Sequence, residues 1–518
     1  MKKNKLLIAL LVLVVTALAL VSCGGDANLP DGPSDDVKEP VDMTQLTVNG
    51  TPIADYTIVL SDTYYGNKYA ADYLIEAILN LTGYELSVSE EAYGAHFYID
   101  STNADDGLCH VDIDGERISL SGVGVNGAYT AAKAFISELG RTADLTLESF
   151  SAPMFWLPNT AAKLKEGSLK VGTMGDSVPH APGFKSLAVI IPEAIGEAYP
   201  DATVEYSNPS LGGRNTYWGV YNIEEMLLDE GYSDLVLLTL GANDPPYGAQ
   251  YNEIVLNYQS TIEKIMRANP YAEIVILNYG RKAQHTSMAN GNIEYYMKAK
   301  LDVAEHYGIP FIDIVYDVHQ RCLEADNYDE EWRAIFKDDV HPNQDGQDYY
   351  ANFYLQSILP AIEAAGESPL EKKEMPERIF ENSKLNTKTY DANLDAEGNT
   401  AETDLNVRLG EGVEAGWQRD GWTYTKGSTV YFDFEGIGFE LDIKAQEGSK
   451  APSLTVEIFD ENGEQVWRKN FIEHSSYYIF VTNELPAGKY TAKIKAVTVN
   501  SSAGFGIYNY CIIEDPNK

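Results

Sequence analysis

Between residues 169 and 365, five short apolar runs (169–171, 203–206, 235–240, 273–277 and 310–313) alternate with amphipathic stretches of helical period at 184–197, 252–268, 293–307 and 347–364. A strand that is apolar at every position, rather than at every second one, has to be covered on both faces, and a parallel sheet flanked by helices does that. The segment therefore predicts a three-layer α/β domain. In such sheets chemistry gathers just beyond the carboxyl ends of the strands.

The chain has 518 residues, more than one hydrophobic core supports, so further domains are expected on either side. Residues 45–150 mix strand-like runs (56–60, 85–88, 96–100), a hairpin turning at Asp114-Gly115, and helical stretches at 66–81 and 127–139, which predicts a small α+β domain. The α/β segment is bounded at 165–367. A polar, charged linker covers 366–380. Beyond it, residues 381–518 carry short strand-like runs with turn signals at Asn462-Gly463 and Pro486-Ala487-Gly488, which predicts a β-sandwich.

At the start, Lys2, Lys3 and Lys5 precede an apolar run over 6–20 and then Leu20-Val21-Ser22-Cys23-Gly24-Gly25. This reads as a signal peptide over 1–23 that resembles a bacterial lipobox, with lipidation at Cys23. Residues 24–44 are polar and rich in Gly, Asp and Pro, a flexible tether. The expected location is extracytoplasmic, with the chain lipid-anchored to a bacterial membrane. The remaining cysteines, Cys109, Cys322 and Cys511, fall one to each expected domain without paired or metal-ligand spacing, so neither disulfides nor a metal site is expected. With 78 acidic against 38 basic residues the net charge is −40, which opposes binding to nucleic acid or to an anionic membrane surface except through the anchor. Neutral polysaccharides are compatible partners.

Four blocks carry candidate chemistry. Gly175-Asp176-Ser177-Val178 follows the first strand, Asn208-Pro209-Ser210-Leu211-Gly212-Gly213-Arg214-Asn215-Thr216 the second, and Gly241-Ala242-Asn243-Asp244 the third; Asp338-Asp339-Val340-His341-Pro342-Asn343, with Gly346 beyond, comes near the end. In type, order and separation these blocks resemble those of the SGNH (GDSL-like) hydrolases, whose flavodoxin-like sheet is the fold predicted above.

The resemblance implies that Ser177 is the nucleophile, His341 its base and Asp338 the carboxylate that orients the imidazole; Asp339 is the competing assignment. It also implies an oxyanion hole made of the backbone N–H groups of Ser177 and Gly213 and the side-chain amide of Asn243, with Gly212 open as the alternative to Gly213. An ester carbonyl attacked by a hydroxyl becomes a tetrahedral oxyanion, which needs such preplaced donors. Asp176 is read as bracing the turn. Pro179 stands where a Gly-x-Ser-x-Gly elbow needs its second glycine, which disfavours the α/β-hydrolase fold, and no phosphate-binding glycine loop, His-Glu-x-x-His or calcium loop occurs. No cofactor is expected.

Context narrows the ester. Residues 45–150 resemble the noncatalytic domain of α-glucuronidases and β-hexosaminidases, notably in Ile118-Ser119-Leu120-Ser121-Gly122 leading to Gly127-Ala128-Tyr129. The double glycine leading into Tyr217-Trp218-Gly219 resembles family members from gut and rumen bacteria. In the sandwich, Trp417, Trp422 and Tyr424 are either core or stacking platforms for sugar rings. The loops 245–251 and 281–292 are mostly polar, unlike a lipid-binding cleft. Removal of acetyl groups from an acetylated polysaccharide or oligosaccharide is the expected activity. The alternatives are an esterase on lipid or O-acetylated peptidoglycan, and a noncatalytic glycan-binding surface lipoprotein.

Overall fold

A computed structural model describes residues 43–515 apart from 102–105, 140–142, 246–248, 392–406, 410–412, 419–420, 425–426, 428, 446–452, 472–477, 483 and 499–504. The signal peptide, Cys23 and all of the tether except its last two residues lie outside the described residues.

The middle of the chain forms a five-stranded parallel sheet: β1 (Ser168–Met174), β2 (Thr203–Ser207), β3 (Leu235–Leu238), β4 (Glu273–Asn278) and β5 (Phe311–Asp313), in the order β2-β1-β3-β4-β5. Successive residues feed opposite layers. Leu235, Leu237, Val275 and Leu277 pack with helices Leu187–Ala198 and Gln344–Ala365, while Val236, Leu238, Ile274 and Ile276 pack with helices Tyr251–Ala268 and Tyr295–Tyr307. The continuous apolar runs thus produce two cores, one per face. The strand order reverses between β1 and β3, which opens a crevice at their carboxyl ends.

Several helix boundaries differ from the sequence expectation. The stretch expected to be helical from 184 begins as a helix only at Leu187, because the Ser186 hydroxyl accepts from the Ala188 N–H at 3.0 Å and caps it there. The last helix starts at Gln344, earlier than its apolar stripe, because Asn343 caps it by accepting from the Gly346 N–H. Residues 281–292, expected as a loop, contain helix Lys282–Ala289; the Gln284 side chain reaches back to the Arg281 N–H at 2.5 Å, which supplies an N-terminal cap where no apolar stripe announces a helix.

Before this domain, Val88–Ser89, Thr57–Leu60, His96–Asp100 and Arg117–Gly122 form a parallel array extended by antiparallel Leu108–Asp114 and Phe150–Pro153. Helices Tyr65–Thr82 and Gly127–Leu139 share one core with this sheet through Leu74, Ile78, Ala131 and Phe135. The expected boundary at 150 falls at the start of a strand that still belongs to this sheet. After the central domain, two antiparallel sheets of five and six strands face each other across Phe432, Phe439, Leu454, Ile494 and Tyr510. Trp417 lies on strand Val413–Gln418, and Trp422 and Tyr424 on Gly421–Tyr424; their side chains lie outside the described residues.

The flanking parts are fastened to the central one, and the described residues from Met43 onward form one compact unit. The Tyr64 ring stacks on Tyr316 at 3.8 Å between centroids, and its hydroxyl donates to Asp313 at the end of β5. The linker over 366–380 has no helix or strand, yet it lies against the domain: Lys373 N–H donates to the Pro270 carbonyl, Arg378 pairs with Glu263, and Phe380 N–H donates to Gln259.

Candidate active site

Beyond β1 the chain turns at Gly175 and enters a single helical turn, Ser177–His180. Gly175 is needed here because a Cβ would stand 1.9 Å from Thr239 Oγ1 and 2.3 Å from a Pro179 ring carbon. Asp176 caps the turn by accepting the Val178 N–H at 3.0 Å, so Ser177 occupies the first helical position, where a backbone N–H has no acceptor within the helix.

The Ser177 hydroxyl lies 2.8 Å from His341 Nε2, and His341 Nδ1 lies 2.8 Å from Asp338 Oδ2. The other Asp338 oxygen accepts the backbone N–H groups of Val340 and His341, both at 2.8 Å, so the carboxylate fixes its own loop as well as the imidazole. Burial pushes the Asp338 carboxyl up, but the donors from His341 and Val340 outweigh that and leave its pKa below the ordinary carboxylate value. Asp339 turns away and pairs with Arg333 at 3.0 Å.

Two further bonds hold this loop to the scaffold. Trp332 Nε1–H donates to the Asp338 carbonyl at 2.9 Å, and the Lys337 N–H donates to the His341 carbonyl at 3.0 Å. Gln347, on the helix after His341, accepts from the Leu187 N–H and donates to the Val178 carbonyl, both at 2.8 Å, which ties the imidazole loop to the serine turn.

Opposite this line stand the two other blocks. Gly213 adopts φ +75°, a left-handed conformation that side chains resist, and Gly212 faces the serine, with its Cβ direction 3.9 Å from Ser177 Cβ. The Asn243 amide donates to the Arg214 carbonyl at 2.9 Å and to Asp176 Oδ2 at 3.3 Å, and Arg281 approaches its oxygen at 3.5 Å.

The structure adds residues that the sequence reading passed over. Tyr279, one residue past β4, donates its hydroxyl to Asp176 Oδ1 at 2.5 Å. Asp244 accepts the Thr216 hydroxyl at 2.6 Å and the Thr216 N–H at 3.1 Å. Burial pushes Asp176 up from its ordinary value, Asp244 up to about 7 and Asp313 up to about 6, while burial brings the Lys300 ammonium beside them down to about 8. The only available signal for Tyr279 was its position just past a strand end; Asp244 sat inside a block already singled out. Among the described residues, no group of three or more His, Cys, Asp or Glu side chains is placed to hold a metal ion, and Cys109, Cys322 and Cys511 are buried thiols.

An arylesterase of Vibrio mimicus is 25% identical to this chain over 221 residues, 40% of this chain and 96% of the arylesterase. Among solved structures, a two-domain esterase active on acetylated mannans, co-crystallised with mannopentaose, is 16% identical, with a TM-score of 0.52 over 68% of this chain and 93% of that one. The sequence of residues 173–349 matches the GDSL-like lipase/acylhydrolase family, from β1 to the last helix. The central domain is thus similar to that family across most of its length, and the protein is a hydrolase of ester bonds.

Proposed function

We propose that the protein is an extracytoplasmic, lipid-anchored serine esterase that removes acetyl groups from polysaccharide through an acyl-enzyme formed on Ser177. The observation that carries this reading is the unbroken line from the Ser177 hydroxyl through His341 to Asp338, with 2.8 Å at each step. His341 Nε2 takes the hydroxyl proton as Oγ attacks the acetyl carbonyl, and returns it to the departing sugar hydroxyl. Asp338 keeps Nδ1 protonated, so that Nε2 is free to accept. Water then repeats the sequence on the acetyl-serine, leaving acetate and the free enzyme.

The oxyanion formed in each half-reaction is met by the N–H groups of Ser177 and of Gly213 or Gly212 and by the Asn243 amide. Both N–H bonds of that amide are taken in the free protein, by the Arg214 carbonyl at 2.9 Å and by Asp176 at 3.3 Å, so the longer bond to Asp176 is given up when one N–H turns to the oxyanion.

Polysaccharide as substrate is supported by the fold shared with the mannan-active esterase, by the polar Arg281 side chain beside Asn243, and by a net charge that suits a neutral partner. The anchor is supported by Cys23 in its lipobox setting.

Acetate release from a panel of acetylated mannans, xylans and pectins, measured beside a Ser177→Ala control, tests the reading. Release by the parent alone is expected and names the substrate. If nothing is released and 4-nitrophenyl acetate is also untouched, the catalytic reading fails in favour of a glycan-binding lipoprotein.

A further inference from the structure

A line of hydrogen bonds leaves the site and crosses the domain into the β-sandwich. The Thr216 hydroxyl donates to Asp244 at 2.6 Å and accepts from the Asn257 amide at 2.9 Å; the Asn257 oxygen accepts from Lys384 Nζ at 2.7 Å; and Lys384 forms an ion pair with Glu440. Asp244, Asn257, Lys384 and Glu440 are 0% exposed and Thr216 is 2% exposed. Lys384 belongs to the segment that follows the linker and Glu440 to strand Gly438–Ala445 of the sandwich, so the far end of this line lies outside the family-matched residues 173–349.

We propose that Lys384 is a positioning residue for the hydrolytic site and that the sandwich domain, through Glu440, completes the oxyanion hole rather than serving only as an attachment for glycan. The inference rests on the reading of Asn243 and the double glycine as oxyanion donors.

Asp244 closes the turn that presents Asn243, its N–H donating to the Gly241 carbonyl at 3.1 Å. Thr216 opens the helix that follows Gly212 and Gly213. The Asp244–Thr216 bonds therefore clamp together the two blocks that supply the donors other than Ser177. Every hydroxyl and amide in the line has its direction set by the ends: the Lys384 ammonium can only donate, so Asn257 presents its oxygen to Lys384 and its N–H to Thr216, which leaves the Thr216 proton for Asp244. Chains of this kind strengthen each member, and the buried carboxylate gains a fixed donor. A buried ion pair contributes little to stability over apolar side chains of the same size, whereas it fixes geometry well. Lys384 is further pinned by its own backbone N–H, which donates to Ser260 at 2.9 Å, and its ammonium lies 4.5 Å from the centre of the Tyr217 ring, one residue from Thr216.

Without Lys384, the Asn257 amide can turn over, the Thr216 hydroxyl loses its orientation, and the clamp loosens. Small misplacements of oxyanion donors lower the rate of the chemical step without changing how a small ester binds.

The test is steady-state hydrolysis of 4-nitrophenyl acetate by the full chain, by Lys384→Met, by Asn243→Ala and by the double variant. Lys384→Met is expected to lower kcat about tenfold with KM changed less than about twofold, and to cost a clearly smaller factor in the Asn243→Ala background, because part of its effect runs through that amide and the rest through the glycine block. Thr216→Val should reproduce the loss and Thr216→Ser, which keeps the hydroxyl, should recover most of it; this pair decides the matter if Lys384→Met does not fold. A folded Lys384→Met with the parent's kcat, or a loss of equal factor with and without Asn243, overturns the inference while leaving the esterase reading intact. A parent inactive on every ester overturns both.

Discussion

The Asn243 amide donates to Asp176 Oδ2 at 3.3 Å, so the residue that precedes Ser177 also steers the side chain proposed to meet the oxyanion. Asp176 is 1% exposed, and its other oxygen accepts from Tyr279 and Val178. Asp176→Asn keeps the shape but places an NH2 group against either Asn243 or the Tyr279 and Val178 donors, whichever way it turns. It is expected to lower kcat by about tenfold to a hundredfold, less than the roughly hundredfold to thousandfold for Asn243→Ala. A kcat at the parent value for Asp176→Asn, measured on 4-nitrophenyl acetate, would show that Asp176 only caps the serine turn.

Asp338 offers a sharper comparison because its side chain is about half exposed, at 49%. Asp338→Asn presents an amide that can donate to His341 Nδ1, which moves the ring proton to Nε2 and leaves nothing to accept from Ser177; a loss of roughly 10⁴-fold in kcat is expected. Asp338→Ala leaves a gap that water can enter, and water can accept the Nδ1 proton and preserve the useful tautomer. The alanine variant should therefore be the more active of the two. The reverse order in parallel kcat measurements would refute the tautomer argument.

How far the site could be read in advance follows from where its residues stand. Ser177 and Asn243 come just after buried central strands and Gly213 after the partly exposed edge strand Thr203–Ser207, and His341 comes just before a long helix, so sequence order set them at one end of the sheet. The Asp-x-x-His spacing of the resembling family favours Asp338 over the adjacent Asp339, and the turn has the same preference: Asp338 accepts two backbone N–H groups as well as the imidazole, while Asp339 meets Arg333. Lys384, Asn257 and Glu440, by contrast, were illegible. They sit after a polar linker, on an amphipathic helix and on a strand, where each reads as an ordinary exposed polar residue. Only the docking of the sandwich on helix Tyr251–Ala268 buries them together. Helix Lys282–Ala289 was missed because its cap, not its stripe, makes it.

That docking also has a stability signature. Lys384 and Glu440 are both 0% exposed, so removing one partner leaves a buried charge without its counter-charge, at a cost of about 3–5 kcal/mol. Replacing both, as Lys384→Met with Glu440→Leu, removes the two desolvation costs together and should recover much of that loss. Thermal unfolding midpoints are expected to rank parent first, the double variant next and Lys384→Met last. A double variant less stable than the single one would mean that Glu440 is held by partners other than Lys384.

The buried carboxyls beneath the site predict a pH dependence of known sign. Asp244 has its pKa raised by burial from 3.8 to about 7, and Asp176 and Asp313 are shifted in the same direction. A group whose pKa is higher in the folded than in the unfolded chain contributes stability that is complete below the unfolded value and is lost as pH rises through the folded one. Between about pH 4 and pH 7 the unfolded chain has released these protons and the folded chain is still releasing them, so this contribution falls across that window. Lys300, lowered to about 8, stays protonated in both states there and adds no slope. Asp244→Asn removes one titrating group while keeping an oxygen that can accept from Thr216. The midpoint of the parent minus that of Asp244→Asn should therefore decline from pH 4 to pH 7, whatever its absolute size. A difference that is flat or rises over the window would mean that Asp244 is already ionised at the lower pH, held there by Thr216 and the ammonium of Lys300.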